Sequence, residues 1–170
     1  MRRGLVGALT SMLTVSALLA AWSSYVGSFL ARLEAKLEHN PGLAAVLPVL
    51  MAATGAAASS VGSSIATHVH LGTVSARRVA YDTAVQGSAL ILVTLAYTLA
   101  VTLTFSGRSS LVTTVLLSAT LTYLLAVLVA VISTFASVRL GLDPDDVVGP
   151  VVTTAADSAG ILITLLLAPG

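Results

Sequence analysis

The sequence has 170 residues, of which 56% are hydrophobic and only 9% are charged, and its formal net charge is +1. Soluble domains carry about 25% charged residues, so this composition excludes a chain that folds mainly in water. The sequence lacks the basic runs of nucleic-acid-binding proteins, and without cysteine it has neither a disulfide framework nor a thiolate metal site. We therefore predict an all-α polytopic membrane protein that has the lipid bilayer as its main surroundings.

Five apolar runs are each long enough to cross a bilayer as a helix, which takes about 20 residues. They cover residues 4–30, 42–67, 83–105, 111–138 and 147–168. The first run exceeds the roughly 7–15 apolar residues of a signal peptide, so we predict a retained span with Trp22 and Tyr25 as interface anchors. The pattern predicts one transmembrane domain over residues 1–170, without a soluble regulatory domain.

A charged segment at residues 31–39 follows the first run, and its Leu33 and Leu37 share one helix face. We read it as a short helix on the membrane surface. The second run is rich in small residues, and Gly55, Ser59 and Ala66 recur along one face at helical spacing. Such a face allows another helix to pack closely or leaves room for a pore, and the sequence favours neither.

The segment after the second run reads as a polar loop, because His68 and His70 are followed by Arg77, Arg78 and Asp82. The two histidines lie at i and i+2, which places them on different helix faces, so interface residues are the preferred reading and a metal site is the alternative. The third and fourth runs read as a lipid-facing wall. Prolines interrupt the second and fifth runs, and we expect a bend at each.

The distribution of Lys and Arg predicts the orientation in the membrane. With the N-terminus inside, five basic residues lie at cytoplasmic ends and three lie outside. We therefore predict a multi-pass protein of the cell membrane with a cytoplasmic N-terminus and an external C-terminus. The cytoplasmic residues are Arg2, Arg3, Arg77, Arg78 and Arg139, and the external ones are Arg32, Lys36 and Arg108.

The last run contains one carboxylate, Asp157, at a depth where a charge costs about 2.5–3.5 kcal/mol to insert. Small and hydroxyl residues recur around it at i, i+3, i+4 and i+7, which predicts a hydrated stripe on one helix face. Alternatively, Asp157 is neutral and hydrogen-bonded to a neighbouring helix, or it relays protons. The residues of the predicted stripe are Thr153, Thr154, Asp157, Gly160, Ile161 and Thr164.

Magnesium prefers oxygen ligands and keeps several waters, so one or two carboxylates hold it. One aspartate is too little, but a symmetric homodimer would supply two at its axis. An acidic cluster, Asp143, Asp145 and Asp146, precedes the last run. It could attract cations at a pore mouth, or it could be a solvated turn in which Asp145 or Asp146 caps the helix.

Residues 142–160, LDPDDVVGPVVTTAADSAG, resemble the last membrane helix of the MgtE magnesium-channel family and the related solute-carrier magnesium transporters. The family pattern there is G-x-D-P-x-x-x-x-x-P-x-x-[TS]-[TS]-x-x-D-x-x-G. Residues 48–55, PVLMAATG, and 63–72, SSIATHVHLG, are similar to the second helix of the family and the segment after it. Together these stretches cover about a fifth of the chain.

The resemblance implies a homodimer with five spans per subunit and a central pore lined by the second and fifth helices. The pore aspartate of the family falls on Asp157, with Thr153 and Thr154 one turn earlier. Gly55-Ala56 replaces the usual Gly-Asn of the second helix, which removes an amide from the expected lining. The cytoplasmic sensor domains of the bacterial family are not in the sequence, so gating by cytoplasmic magnesium would come from the acidic cluster, come from another chain or be absent.

We therefore expect a transporter of divalent cations, most of all Mg2+, and not an enzyme. The expected metal ligands are Asp157, Thr153, Thr154 and Ser59, with Asp145 and Asp146 at the mouth. The alternatives are an ion-coupled divalent cation exchanger and a non-transporting membrane subunit. An intramembrane aspartyl protease is disfavoured, because its chemistry needs two carboxylates in one site and each subunit offers one at depth.

Overall fold

A computed structural model describes residues 2–29, 34, 37–104 and 109–168 of the chain. These residues form five long helices and no strand, which confirms the all-α prediction. The connections between successive helices from the second onward are short, so neighbouring helices run antiparallel. The helices are α1 (Arg2–Gly27), α2 (Pro41–His70), α3 (Ala76–Thr104), α4 (Ser109–Arg139) and α5 (Pro144–Leu167).

Four of the helices, α2 to α5, are long and apolar enough to cross a membrane. In α1, the apolar part of the described chain is Met12–Gly27, which is shorter than a full span. A fifth span therefore stays a prediction. Of the predicted surface helix, residues 31–33, 35 and 36 lie outside the described chain, whereas Glu34, Leu37 and Glu38 have helical backbone.

Helices α2 to α5 pack around one apolar core, and α1 lies against α5. One half of the core is centred on Val61, Ala126 and Val152, all of which are fully buried. The other half is centred on Leu50 and Val115. The core therefore joins α2, α4 and α5 along most of their length, and it positions α2 against α5.

The prediction that α4 belongs to a lipid-facing wall did not include the buried face of this helix. Ala119, Ala126 and Ala130 have no exposed surface, because this narrow face of α4 packs against α2 and α5. Large apolar side chains such as Leu124 and Leu128 remain exposed on its other side. A uniformly apolar sequence does not reveal this division, since lipid and protein interior have similar polarity.

The predicted polar loop is also shorter than expected, because α3 begins at Ala76. Ser75 accepts hydrogen bonds from the backbone N–H of Arg78 at both its carbonyl and its Oγ, at 3.1 and 3.3 Å. Arg77 and Arg78 therefore lie in the first turn of α3, and Asp82 lies within the helix. A serine before a helix satisfies an N–H group that has no intrahelical partner, which favours a helix start at this position.

The capping of α5 by Asp145 or Asp146 was a wrong prediction as well. Asp143 is the N-cap, and its Oδ1 accepts from the backbone N–H of Asp145 at 3.1 Å. Pro144 then occupies the first helical position, where the missing N–H of proline has no consequence. The helix continues through Pro150, and α2 likewise continues through Pro48.

Candidate cation site

Helices α2 and α5 approach closely through glycine. A Cβ atom on Gly62 would lie 2.6 Å from Val148 Cγ1, and one on Gly55 would lie 3.7 Å from Thr153 Cγ2. On the α5 side, a Cβ on Gly160 would lie 3.4 Å from Met51 Cγ. This face of α2, which includes buried Ala66, therefore packs tightly against its neighbour.

The neighbouring face of α2 is open. Its exposed residues recur every three or four positions over the whole helix, and they are small, hydroxyl-bearing, proline or histidine. No large apolar side chain of α2 is among the exposed ones in the described chain. The exposed residues are Pro41, Ala44, Pro48, Ala52, Ala56, Ser60, Ser63, Thr67 and His70.

On α5, the exposed side chains next to this face are Pro150, Thr153 and Asp157. Thr153 contacts the backbone position of Gly55, which brings the exposed residues of α5 beside those of α2. We call the combined surface the open face: Ala52, Ala56, Ser60, Ser63 and Thr67 of α2 together with Pro150, Thr153 and Asp157 of α5.

The open face differs from the surfaces that α3 and α4 expose. Those helices expose large apolar side chains such as Leu92, Leu103, Leu121 and Phe135. A lipid-facing surface requires such side chains, whereas small and hydroxyl side chains on a membrane helix allow close approach of another helix or contact with water. The open face therefore has the composition of a surface that lipid does not cover.

Asp157 is the only acidic residue of the open face, and within the described chain no cation-bearing side chain pairs with it. One turn earlier, the Oγ1 of Thr153 donates within the helix to the carbonyl of Gly149 (3.0 Å) or Pro150 (3.1 Å). The threonine proton is therefore used, and the lone pairs of its oxygen stay available to a cation or to its water.

The structure divides the predicted stripe of α5. Thr153 and Asp157 are exposed, whereas Gly160, Ile161 and Thr164 are buried. The reason is the crossing of α2 and α5, because Met51 of α2 lies against Gly160 and closes this level of the helix pair.

Thr154 and Ser59 were also expected ligands, but unlike Thr153 and Asp157 they do not lie on the open face. Thr154 is half-buried and lines an apolar groove of about 530 Å3 between α1, α4 and α5. In the same groove, the indole N–H of Trp22 donates to Ser158 Oγ at 3.0 Å, so Trp22 connects α1 to α5. The Oγ of Ser59 is buried and has no hydrogen-bond partner among the described residues.

Asp145 is exposed and Asp146 half-buried, at the membrane end where α5 begins. The 11 residues from Asp146 to Asp157 correspond to about 16 Å along the helix axis. His68 lies near this end too, and its Nδ1 is 3.0 Å from Thr73 Oγ1. The described residues contain no cluster of three or more His, Asp or Glu suited to a metal ion.

Sequence reasoning missed a polar contact between α2 and α3. Ser64 Oγ donates to Asp82 Oδ2, and Gln86 Nε2 donates to Ser60 Oγ at 3.0 Å. The signal was present, since Ser60 and Ser64 lie at i and i+4, as do Asp82 and Gln86. Assigning Asp82 to a loop concealed it.

Four apolar spans that enclose a core and present a carboxylate on a hydroxyl-lined face define a polytopic helical membrane protein with chemistry suited to cations. The model of the MgtE family, described as a divalent cation transporter, matches residues 47–167, which run from α2 to the end of α5. The chain therefore belongs to the MgtE family of divalent cation transporters, as its resemblance predicted. A comparison with curated proteins found no match.

Proposed function

We propose that the protein transports Mg2+ across the cell membrane as a homodimer, through a pore lined by the open faces of α2 and α5. Asp157 is the principal ligand, and Thr153 assists it through retained water. Asp145 and Asp146 attract the cation to the mouth of the pore. The observation that carries this proposal is the open face, an exposed surface without large apolar side chains whose one carboxylate has no ion pair within the described chain.

The number of ligands supports two subunits. Mg2+ takes six oxygen ligands and dehydrates reluctantly, so proteins bind it through one or two carboxylates and several waters. A single Asp157 supplies one charge for a divalent ion. A two-fold axis beside the open face would bring Asp157 together with Asp157 of the second subunit, which neutralises the ion.

The open face must also be shielded from lipid. In a monomer within the bilayer, Asp157 would face lipid and cost several kcal/mol. Dimerisation through the open faces would place this carboxylate in water at the axis, while the large apolar residues of α3 and α4 remain towards lipid. With a cytoplasmic N-terminus and five spans, the acidic start of α5 would lie on the cytoplasmic side.

Ligand assignments differ in their support. Thr153 and Asp157 share the open face, which favours them as a pair. Thr154 lines the groove beside α1, and the Oγ of Ser59 is buried. In this proposal, Thr154 therefore contributes to the packing of α5 and Ser59 to the packing of α2, and neither is a direct ligand.

The proposal is tested by magnesium uptake into proteoliposomes that contain the purified protein. Asp157→Asn keeps the size of the side chain and removes the charge, so uptake should fall at least tenfold, because a unit charge about 5 Å from a divalent ion is worth that factor even at the dielectric constant of water. Glu34→Gln, which removes an exposed carboxylate outside the spans, is the matched control and should transport normally.

Equal uptake by the wild type and Asp157→Asn would refute the site. Absence of uptake by the folded wild type would contradict unaided magnesium transport, and it would favour the exchanger or the non-transporting subunit. Crosslinking of Ser63→Cys to its copy in a second subunit tests the dimer, since the open faces meet at the proposed axis. A protein that stays monomeric in lipid would refute the shared site.

A further inference from the structure

The apolar groove beside Trp22 separates α1 from α4. Both helices pack against α5, whereas the described residues of α1 do not approach the backbone of α4. The groove has a volume of about 530 Å3, its floor is α5, and its walls include Trp22 of α1 and Leu125 of α4. An apolar cavity of about 150 Å3 is enough to hold benzene. The groove therefore has room for a considerably longer hydrocarbon.

The lining of the groove suits hydrocarbon and does not suit a polar ligand. Ser158 Oγ accepts from the indole N–H of Trp22 and donates to the carbonyl of Thr154 at 2.8 Å, so both polar groups are already bonded. Among the described lining residues, the Thr154 hydroxyl is the remaining polar side-chain group. A polar ligand would lose its bonds to water here without gaining new ones. The other lining residues are Leu19, Leu125, Val129, Val151, Ala155, Ala159, Leu162 and Ile163.

The apolar surface continues along α4 and ends at a cation. A second groove, of about 560 Å3, lies at the end of α4 and is lined by apolar side chains and Arg139. Arg139 is exposed in the last turn of α4, and no acidic side chain of the described residues forms an ion pair with it. The two grooves share one helix face, because their residues recur at intervals of four and three. These residues are Leu125, Val129, Ile132, Ala136 and Arg139.

The distance between the cation and the groove matches half a bilayer. The 10 residues from Val129 to Arg139 correspond to about 15 Å along the helix axis, and the 14 from Leu125 to about 21 Å. One leaflet of the hydrocarbon core is about 15 Å thick. A molecule with an anionic group at Arg139 and a chain that reaches the groove therefore has the dimensions of a phospholipid. Arginine also suits a phosphate, which it can bind through two parallel hydrogen bonds.

The acidic cluster at the start of α5 does not face this site. At about 100° per residue, Asp145 and Asp146 lie more than about 100° around the helix from Val151, which lines the groove. Asp157 and Thr153 likewise belong to the open face and not to the lining of the groove. The groove is therefore separate from the proposed cation path, and α5 presents different residues to each.

We propose that the groove binds one phospholipid, with its phosphate at Arg139 and one acyl chain between α1 and α4 above Ala155 and Ser158. An unfilled gap would deprive its lining of van der Waals partners, and the chain supplies them. The bound lipid thus completes the packing of α1, which the described protein attaches only to α5. It also supports the back of the helix that carries Asp157.

Quenching of Trp22 fluorescence tests the site, because Trp22 lines the groove and is the only tryptophan. Phosphatidylglycerol with brominated acyl chains is titrated into the full-length protein, purified and delipidated in detergent. Quenching should saturate at one lipid per subunit. Arg139→Gln should weaken this binding about fivefold, because it removes one cation from the phosphate. Diacylglycerol with the same chains lacks the phosphate, so it should quench the wild type and Arg139→Gln equally.

Two results would overturn the site in this titration. One is quenching that rises with the ratio of lipid to detergent without saturating, since that behaviour is typical of non-specific lipid. The other is equal binding of phosphatidylglycerol by the wild type and Arg139→Gln. Asp157→Asn should bind the lipid like the wild type whether or not it transports magnesium, so the lipid site and the proposed function fail independently.

A substitution in the floor of the groove tests its location. Ala155→Phe fills part of the groove and should abolish saturable quenching, whereas Ala96→Phe, at an exposed position of α3, is the matched control and should bind lipid normally. Equal binding by both variants would refute the location.

Photolabelling of the wild type keeps the test decisive if Ala155→Phe does not fold. A phospholipid with a photoreactive acyl chain should label the groove residues of α1, α4 and α5 in preference to Leu92 and Leu103, which are exposed on α3. Equal labelling of α3 would overturn the proposal. Groove residues that become labelled only after oligomers are dissociated would also overturn it, because a second copy of the chain would then cover the groove.

Discussion

Gly62→Ala tests the close approach of α2 and α5. The added methyl group would lie 2.6 Å from Val148 Cγ1 and 3.4 Å from Ala130 Cβ. Carbon atoms in contact need about 3.5–4.0 Å, so α2 has to move by about 1 Å. Val148 cannot turn away easily, because a β-branched side chain has few allowed rotamers and this one is buried.

The expected cost follows from two opposing effects. Overpacking of this kind destabilises by about 1–3 kcal/mol, whereas replacing glycine by alanine inside a helix stabilises by up to about 1 kcal/mol. The net loss should therefore be about 1–2 kcal/mol. Because the same crossing holds Thr153 beside Gly55, magnesium uptake should fall together with stability.

Thermal unfolding of the purified protein in detergent, followed by circular dichroism, measures the effect. Gly149→Ala is the matched control, since no atom lies within 4 Å of its added methyl group, and it should be neutral or slightly stabilising. Adding Val148→Ala should partly rescue Gly62→Ala, because it removes the atom in the clash. Equal unfolding temperatures for Gly62→Ala and Gly149→Ala would refute the reasoning.

Two further predictions concern the acidic start of α5 and the contact between α1 and α5. Asp145→Asn and Asp146→Asn should each raise the magnesium concentration for half-maximal uptake more than they lower maximal uptake, because they weaken attraction at the mouth; unchanged kinetics in both would leave them as solvated residues of the first turn. Ser158→Ala removes the acceptor of the Trp22 indole and should destabilise the protein by about 1 kcal/mol. It should also shift the fluorescence emission of Trp22, the only tryptophan, and an unshifted spectrum would show that the bond is absent in the membrane.

The small residues of α2 illustrate how one helix serves two neighbours. Gly55 and Gly62 allow α5 to approach, while Ala56, Ser60 and Ser63 form the adjacent open face. Both sets consist of small residues, so the sequence could not assign packing to one and exposure to the other. The two sets lie at different angles around the axis of α2, and which of them is buried can be decided only when the position of α5 is known.

Asp82 and Gln86 show that the sequence was equally unable to assign the contacts of polar residues. A carboxylate near the end of an apolar run is read as part of a loop, because water is close and α3 gives no periodic signal there. In the structure α3 begins at Ala76, about two turns before the predicted apolar run, and Asp82 accepts a hydrogen bond from Ser64 of α2. Contacts of this kind depend on which helices are adjacent, and the i, i+4 spacing of polar residues within each helix does not identify the partner helix.

Amino-acid sequence alone determined the membrane class, the helical fold and the membership of the MgtE family. Those properties depend on composition, on the length of apolar runs and on a motif within one helix, and each of them is local. The tertiary structure decided which faces are buried, that Asp143 and Ser75 immediately precede their helices, and that Thr153 and Asp157 remain exposed while Thr164 does not. These outcomes depend on helix crossings, where one methyl group or its absence determines how closely two backbones approach.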